Sequence, residues 1–570
     1  MSRRTAASRW ALPFALGATA AFWVVVFLDP QATGWGDWQF FHHMWEVGRV
    51  GVERYGALPL WDAHHCGGIT LWGNPQAQVY GPFFWLSLWV GSTVAIKLYL
   101  AFHVFAAFHG MALLARRHGL SIRGAMVASL AFGGSGYFAW HLAGGHAPFA
   151  PFAFTPWLLL AWQRAPSDPR HAVVVALLMG LTLWEGGVYP LPYFVLLLAF
   201  DAATRLHREK LRLVWVGAAA AALALLLCAG RLIPILDTLA EHPRETDLLD
   251  RLDWNAVWSM LMARTEPEHP VGAYSWPEYG AYLGPIVLLL ATFGLARAWK
   301  KERVWIVGLL VFGALMLGNK GPWSPWRLIH HLPVYDSLRV PSRFMIFVTL
   351  YLALLAGAGL DQLMGRLRSV SGASAAGATL VVILLGFDLL SVNARVIDRW
   401  DGAAITTDAP AERFHLTSLP YARYADFPQL NVGTGICYDP MDVPSVPGLR
   451  AGDRPQATIQ GPGRVTSLGR GLDHVWAEVE LEAPARMVVN QRGGSSWQLD
   501  QGQSGTIDRE AARLEVELPA GSHRIDLRYR PKKLGLSLGL SAAGALGCLL
   551  WWLAFAWRRN RRPVVKADPS

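Results

Sequence analysis

The sequence predicts a mostly α-helical, polytopic membrane protein with about twelve transmembrane helices and a small antiparallel β domain near its C-terminus. Three observations lead to this fold class: long apolar runs, basic clusters between those runs, and a late stretch in which apolar and polar residues alternate. The chain has 570 residues, of which 53% are hydrophobic and only 16% are charged. Soluble domains average about 25% charged residues, so the composition already favours a membrane protein.

The apolar runs are the strongest signal for membrane insertion. Almost no charged residue interrupts residues 214–229, 282–296, 344–360 or 375–390. An apolar stretch of about 18 or more residues is typical of a transmembrane helix. One or two such runs would fit buried core helices of a soluble protein, but this many, separated by short basic loops, indicate a polytopic membrane protein.

The basic residues explain the formal net charge of +10 without nucleic acid. They cluster between the apolar runs, and the positive-inside rule places such clusters in the cytoplasm. We therefore expect membrane lipids, and no nucleic acid, among the partners. Examples of the clusters are Arg3, Arg4 and Arg9, then Arg116, Arg117 and Arg123, and then Arg297, Lys300 and Lys301.

These clusters predict the topology of a transmembrane domain over residues 1–392, with outer loops at 29–81, 231–278 and 319–340. The first helix is expected to be uncleaved, and both termini are expected to be cytoplasmic. A last helix, 534–557, leads into a basic cytoplasmic tail, 558–570. The other spans are predicted near residues 10–28, 82–115, 124–140, 149–163, 172–184, 187–201, 213–230, 279–296, 304–318, 341–363 and 374–392.

Residues 393–531 are predicted to form an extracytoplasmic segment with a β domain at about 455–531. Residues 475–481 (VWAEVEL), 513–518 (RLEVEL) and 523–529 (HRIDLRY) alternate apolar and polar side chains. Period-two alternation indicates half-buried strands. A Pro-Ala-Gly turn at 519–521 separates the last two strands.

Asp37 is the first candidate for catalysis, because it follows the first predicted span almost directly and would lie near the outer headgroups. An acceptor hydroxyl needs a carboxylate within hydrogen-bond reach to take its proton. The structural alternative is an N-cap of the following amphipathic helix, a position that Asp occupies well. The two roles are compatible.

Other polar and aromatic residues of the outer loops are candidates for substrate contact. Glu46 lies one turn from His42 and His43, where a local ion-pair network is the structural alternative. Glu185 lies in an apolar setting, and ionisable groups at membrane depth are often functional. The outer histidines, which also include His64, His65, His141 and His146, match no strong metal motif. Cys66 and Cys437 lie in predicted loops, where the topology permits a disulfide.

Arg339 and Arg343 enter the outer end of a predicted helix, against the positive-inside bias. A guanidinium matches a phosphate with a bidentate fork, so a lipid-linked phosphate in the outer leaflet would explain both arginines. The alternative is contact with ordinary lipid headgroups.

Four stretches together resemble a known family. They are Asp37 with Gln39, residues 58–82 with their LPLWD, NPQ and YGP motifs, residues 338–344 (LRVPSRF), and Trp497 with residues 518–521 and 529–531. In their order and topology, over about residues 30–540, they resemble the bacterial YfhO-like membrane proteins. That family is a branch of the GT-C superfamily of polyprenyl-phosphate-sugar-dependent glycosyltransferases.

The resemblance implies a glycosyltransferase of the GT-C type, with inverting stereochemistry, in a bacterial plasma (inner) membrane. Such an enzyme moves a sugar from a polyprenyl-phosphate donor to a glycan, lipid or protein acceptor of the cell envelope, at the periplasmic or extracellular face. The position of Asp37 matches the acceptor base or metal ligand of the family, and Arg339 and Arg343 match contacts to the donor phosphate.

The sequence departs from the family at the acid of the first loop. Asp37 has no adjacent Asp or Glu, which leaves a requirement for a divalent metal such as Mg or Mn open, with Asp37 as the ligand if there is one. Candidate contacts to donor or acceptor are His42, His43, Glu46, Trp61, Asn74, Gln76, Glu185 and Trp497.

Two other functions remain open on the sequence. A transporter or flippase for lipid-linked sugars would show an inverted repeat and charges at mid-membrane, and neither is evident. A non-catalytic scaffold for envelope assembly would keep the same fold and use the β domain to bind a partner.

Overall fold

The structure of the protein is a computed structural model that describes residues 9–243, 246, 250–366, 373–438 and 441–560. Arg3, Arg4 and most of the basic tail predicted at 558–570 lie outside the described residues. Fourteen α-helices of eight or more residues are described. They are α1 Ala11–Trp23, α2 Trp38–Tyr55, α3 Ser92–Arg117, α4 Ile122–Gly133, α5 Gly136–Ala143, α6 Thr155–Arg164, α7 Arg170–Trp184, α8 Pro190–Glu241, α9 Trp254–Met262, α10 Gly284–Lys301, α11 Arg303–Met316, α12 Met345–Arg366, α13 Ala373–Ile397 and α14 Leu534–Asn560.

Five helical segments in the described part of the chain are long and apolar enough to cross a membrane. They are Ser92–Arg117, Pro190–Glu241, Pro341–Arg366, Ala375–Ile397 and Leu534–Arg558. Shorter apolar helices occur at Ala11–Phe27, Arg170–Trp184 and Arg303–Met316. The protein is thus a helical membrane protein, and the count of about twelve spans is not confirmed and stays a prediction.

Prolines and glycines explain where the helices depart from the predicted spans. The span predicted at 124–140 is divided between α4 and α5 at Gly134 and Ser135. The span predicted at 149–163 begins as a 3-10 segment, Ala147–Phe154, which contains Pro148 and Pro151. Proline lacks the N–H that an α-helix needs. The spans predicted at 187–201 and 213–230 lie on the two sides of a kink in α8 at Lys210, where the backbone is not helical.

Close backbone contacts hold the centre of the helical domain together. A Cβ atom at Gly294 of α10 would lie 2.0 Å from the carbonyl oxygen of Leu355, and one at Gly359 of α12 would lie 1.8 Å from that of Leu290. A side chain at either glycine would collide with the backbone of the neighbouring helix. Small residues allow such close packing of helices in membrane proteins. As a result α12 is buried from Met345 to Leu360.

The C-terminal segment contains an antiparallel β-sandwich, as the alternation predicts. Its two four-stranded sheets have the orders β10-β11-β8-β5 and β6-β7-β12-β9. Along β7 the apolar residues Val475, Ala477, Val479 and Leu481 are all buried between the sheets. The strands are β5 Ala457–Gln460, β6 Gly463–Arg470, β7 His474–Leu481, β8 Ala485–Arg492, β9 Trp497–Leu499, β10 Thr506–Asp508, β11 Arg513–Leu518 and β12 Gly521–Tyr529.

The loop at 29–81 joins this sandwich to the helical domain. It contains two short paired strands, β1 Trp61–Asp62 and β2 Ile69–Thr70, and the segment before the sandwich contains β3 His415–Leu416 and β4 Val432–Gly433. The ring of Trp61 packs 5.4 Å from Trp497 and 4.7 Å from Tyr529, in the sandwich core. A disulfide between Cys66 and Cys437 fixes the same loop to residues 393–454.

Asp473 is the main polar link between this loop and the sandwich. Its Oδ1 accepts the backbone N–H groups of Leu60 and Trp61, each at 2.9 Å. Replacing Asp473 with Ala would leave two buried donors without an acceptor, which costs about 1–3 kcal/mol each. We expect a lower melting temperature and faster proteolysis of the loop. Asp508→Ala, which disturbs a local turn and a long ion pair with Arg486 at 3.7 Å, is the control, and equal melting temperatures for the two variants would contradict this role.

Candidate functional site

A cavity of about 730 Å³ contains the acid and both arginines that the sequence singles out. Asp37, Arg339 and Arg343 all line it, together with Arg399 and Glu278. These residues are distant in sequence and come from four separate parts of the chain. We call this space the Asp37 cavity.

Close backbone packing places Asp37 at the wall of this cavity. Its N–H donates to the carbonyl oxygen of Gly144 at 3.3 Å. A Cβ atom at Gly145, where φ is +88°, would lie only 2.5 Å from the backbone nitrogen of Trp38. Glycine alone fits such an approach and such a φ without strain. The start of α2 is therefore held against residues 144–145.

The side chain of Asp37 is not used as a helix cap. Asp37 occupies the N-cap position of α2 and makes no capping hydrogen bond. Instead its Oδ1 accepts a hydrogen bond from the hydroxyl of Tyr438. Its Oδ2 makes no hydrogen bond to any residue that the structure describes, and it remains available to a ligand in the cavity.

Tyr438 is held over Asp37 by the residue before it. Cys437 forms the disulfide with Cys66, and both Cys437 and Tyr438 line the Asp37 cavity. Burial, together with the charge of Asp37, raises the pKa of Tyr438 above its ordinary value. Tyr438 is therefore a neutral donor at physiological pH, and it fixes one oxygen of the Asp37 carboxylate.

Arg343 is buried and paired. Its Nε and Nη2 donate to the two carboxylate oxygens of Glu278 at 3.0 and 2.6 Å. The guanidinium also lies over the rings of Phe149 and Tyr189, 4.5 and 4.9 Å from their centroids. Burial of Glu278 opposes its ionisation, but the charge of Arg343 outweighs this and holds the pKa of Glu278 well below its usual range. The charge of Arg343 is thus already balanced.

Arg339 and Arg399 differ from Arg343, because neither forms an ion pair with a residue in the described ranges. Arg339 is exposed and lies 5.7 Å from the ring centroid of Tyr274. Arg399 lies between the rings of Trp35 and Trp140, at 5.3 and 5.0 Å. Aromatic faces orient a guanidinium without neutralising its charge. Both arginines therefore present their charge to the cavity.

A group of possible metal ligands lies beside the same cavity, and two of its three members, His146 and Glu278, line it. Among the described residues, ligand atoms of His141, His146 and Glu278 lie within 4.8 Å of one another. The two histidines share a hydrogen bond of 2.7 Å between their Nδ1 atoms. Two imidazoles and one carboxylate suit zinc better than magnesium. Asp37 is not part of this group, so any metal held by these residues would not use the ligand that the sequence predicts.

Gln76 is the other predicted substrate contact that lines the Asp37 cavity. Its side-chain amide donates to the hydroxyl of Tyr189 at 3.3 Å. Asn74 lies behind it: the Oδ1 of Asn74 accepts the backbone N–H of Gln76 at 2.9 Å. Asn74 does not line the cavity, and its position fits a role in shaping the turn that presents Gln76.

The three polar residues predicted on α2 are buried outside the cavity. His43 links Asp62, at 2.8 Å, to the carbonyl oxygen of Tyr424. Glu46 pairs with Arg49 at 2.9 Å, which is the local ion-pair network of the alternative interpretation. His42 is fully buried, and burial followed by the charge of Lys97 lowers its pKa to about 3. All three are buried and none of them lines the Asp37 cavity, so their role as substrate contacts stays a prediction.

Two tryptophans and one acid that were predicted as substrate contacts also lie outside the Asp37 cavity. Trp497 is 0% exposed and Trp61 is 5% exposed, because both fill the core of the β-sandwich. Glu185 is buried and pairs with His103 at 3.1 Å. None of the three lines the Asp37 cavity. Trp497 is enclosed in that core, whereas Trp61 also lines a separate, smaller cleft.

Glu278, Arg399 and Tyr438 are the cavity residues that the sequence analysis missed. Glu278 and Arg399 each lie close to the end of a predicted span, as Arg339 does. The signal that selects Arg339, an arginine near the outer end of a span, would therefore also have selected Arg399, but it does not apply to the acid Glu278. Tyr438 carries no such signal, because its contact with Asp37 joins residues that are 401 positions apart.

Comparison with known proteins gives only distant matches. No protein-family model and no curated protein sequence matches the chain. Among solved structures, the arabinofuranosyltransferase AftD from Mycobacteria is 17% identical, with a TM-score of 0.47, over 78% of this chain and 32% of that chain. The Archaeoglobus fulgidus oligosaccharyltransferase, tethered to an acceptor peptide, is 11% identical, with a TM-score of 0.43, over 75% of this chain and 64% of that chain.

This chain therefore spans about a third of the length of AftD and just under two thirds of the oligosaccharyltransferase. One matched structure is an arabinofuranosyltransferase and the other an oligosaccharyltransferase, and both TM-scores are below 0.5. For this reason the function is inferred from the residues of the cavity.

Proposed function

We propose that this protein is a glycosyltransferase of the GT-C type, which transfers a sugar from a polyprenyl-phosphate donor to an acceptor of the cell envelope. One observation carries the proposal: a single cavity holds a carboxylate with an open oxygen and two arginines that have no carboxylate partner among the described residues. A base for a hydroxyl and cations for a phosphate are what this transfer needs.

Asp37 would act as the base. The acceptor oxygen attacks the anomeric carbon of the donor sugar while its proton passes to the open Oδ2 of Asp37. The bond between the anomeric carbon and the phosphate oxygen breaks, and the polyprenyl phosphate leaves. Attack opposite the leaving group inverts the anomeric centre. Tyr438 holds the other oxygen of Asp37, so the carboxylate keeps its orientation during the step.

Arg339 and Arg399 would neutralise the phosphate as it leaves. Their charges are not balanced by a described carboxylate, whereas that of Arg343 is balanced by Glu278. We therefore assign the phosphate first to Arg339 and Arg399, with Arg343 as a third, weaker contact. Cations that are already fixed where negative charge develops in the transition state lower the reaction barrier, because the site does not have to reorganise during the step.

The proposed location is the non-cytoplasmic face of a bacterial plasma membrane. The positive-inside rule supports this face, because the basic clusters lie at the opposite ends of the predicted spans. A flippase for lipid-linked sugars and a non-catalytic scaffold remain the alternatives, and they are separated from an enzyme by assaying transfer and translocation in the same vesicles.

The test is transfer in proteoliposomes supplied with a panel of polyprenyl-phosphate monosaccharides and an envelope glycan. We expect Arg399→Gln to raise the KM for the donor about tenfold or more, since a charge-assisted hydrogen bond contributes about 1.5–3 kcal/mol. Arg303→Gln is the matched control, because Arg303 also lies over a tryptophan ring but outside the cavity. Translocation of donor without any transfer would overturn the proposal in favour of a flippase.

A further inference from the structure

A second cleft, of about 780 Å³, lies at one edge of the β-sandwich. Its walls come from strand β6, from the residues just before β5, from residues 412–414 and from the end of α2. Strands β5 and β6 are the edge strands of their two sheets. The cleft is therefore open between two sheets, and we call it the Arg470 cleft.

Arg470 is the last residue of β6. Its side chain forms no hydrogen bond and no ion pair with any residue that the structure describes. Its guanidinium lies 4.4 Å from the ring centroid of Phe414. Burial lowers the pKa of Arg470 to about 10, and only Tyr55 acts in the opposite direction. Arg470 is partly buried, and an anionic ligand in the cleft would supply a counter-charge for its guanidinium.

The rest of the lining is suited to a saccharide. Arg413 and Arg454 are exposed beside Arg470, and Glu412 and Asp453 leave the lining one positive charge in excess. The ring of Tyr55 is 48% exposed and offers a face to a sugar ring. The side chains of Asn431, Gln456 and Ser467 add hydrogen-bonding groups to the walls.

The Arg470 cleft is separate from the Asp37 cavity. Asp37 directly precedes α2, and Tyr55 is the last residue of that helix. A helix of 18 residues is about 27 Å long at a rise of 1.5 Å per residue. The two spaces share no lining residue. A ligand of the cleft would therefore not occupy the proposed catalytic site.

We propose that the Arg470 cleft is a binding site for an oligosaccharide that carries carboxylate or phosphate groups. Arg470 pairs with the anionic group, Arg413 and Arg454 add long-range attraction, and Tyr55 packs on a sugar ring. The site goes beyond the proposed transfer reaction and does not depend on it, because its occupancy is measured by binding alone.

The experiment uses the full chain in nanodiscs of zwitterionic lipid. Binding is measured for three probes of equal length: an oligogalacturonate, a phosphorylated mannan oligosaccharide and a neutral cello-oligosaccharide. We expect one or both anionic probes to bind and the neutral probe to bind much more weakly, and the two anionic probes separate carboxylate from phosphate recognition. Arg470→Gln should weaken the anionic binding about tenfold or more.

Arg464→Gln is the matched control. Arg464 belongs to the same strand, is exposed and pairs with Glu480 outside the cleft, so its loss should leave binding unchanged. If Arg470→Gln lowers the yield of folded protein, the exposed Arg454→Gln keeps the test open, with an expected loss of about two- to fivefold. Equal binding of the neutral probe, equal losses in Arg464→Gln, or binding only to anionic lipid vesicles would overturn the proposal.

Discussion

Replacing Asp37 with Asn should reduce the rate of glycosyl transfer by about 10²–10⁴-fold, the usual contribution of a positioned general base. The amide has nearly the same shape and can still accept the hydrogen bond from Tyr438, but it cannot take the acceptor proton. Binding of the donor should change little, because the proposed phosphate contacts are arginines. The measurement is transfer under single-turnover conditions, with donor binding assayed in parallel.

The structure provides a control for the helix-capping role of an aspartate. Asp253 caps α9 by accepting the backbone N–H of Ala256 at 2.7 Å, whereas Asp37 makes no capping bond. Asp253→Ala should therefore lower the stability of the protein by about 0.5–2 kcal/mol, the usual cost of losing a helix cap, without altering the chemical step, and Asp37→Asn should do the reverse. Undiminished transfer in Asp37→Asn would remove Asp37 from the mechanism.

Much of the helical framework can be predicted from the sequence, because apolar length and charge position are local properties. Where the prediction differs, the cause is also local. Pro148 and Pro151 replace the start of one predicted span with a 3-10 segment, and Gly134 and Ser135 divide another. Strands β7, β11 and β12 were predictable because one face of each is buried in the sandwich core, which gives the alternation.

The residues of the cavity are only partly predictable. Asp37, Arg339 and Arg343 are unusual for their positions at predicted helix ends, and position alone is enough to select them. The ion pair of Arg343 is not predictable in this way, because Glu278 is 65 residues away and the pair depends on the folded helices. The ion pair with Glu278 determines which arginine is available to bind a phosphate.

Aromatic residues show the limit of the sequence most clearly. In the sequence, a tryptophan of a loop or a short strand looks the same whether its side chain lies on the surface or in a core. Trp61 comes from a loop about 400 residues before the sandwich, and yet it packs against Trp497 inside it. The residues next to a tryptophan in the sequence do not show that a distant segment buries its side chain. For this reason both tryptophans were predicted as substrate contacts.

The second large effect concerns the buried pair of Glu278 and Arg343. Replacing Glu278 with Gln should destabilise the protein by about 3–5 kcal/mol, the usual cost of leaving one charge of a buried pair unpaired. Both side chains are less than a tenth exposed, so water from the cavity can replace the lost carboxylate only in part. The measurement is thermal or denaturant unfolding in detergent. Glu480→Gln, which breaks the exposed pair with Arg464, should cost no more than about 1 kcal/mol.

The pH dependence of this pair follows from the direction of the shift. The pKa of Glu278 is lower in the folded protein than in the unfolded chain, so the carboxylate stabilises the fold at any pH above the ordinary pKa of Glu. That contribution is lost only as the pH falls below this value towards the folded pKa. The difference in stability between the wild type and Glu278→Gln should therefore be constant from about pH 6 to 8 and shrink in stronger acid.

A double variant separates the stability of the pair from its charge in the cavity. Glu278→Gln combined with Arg343→Met removes both buried charges, and most of the lost stability should return because no unpaired cation remains. If Arg343 is only a weak contact to the donor phosphate, the double variant should keep a donor KM close to that of the wild type. A large rise in KM together with restored stability would instead make Arg343 a main phosphate ligand and Glu278 the residue that holds it in place.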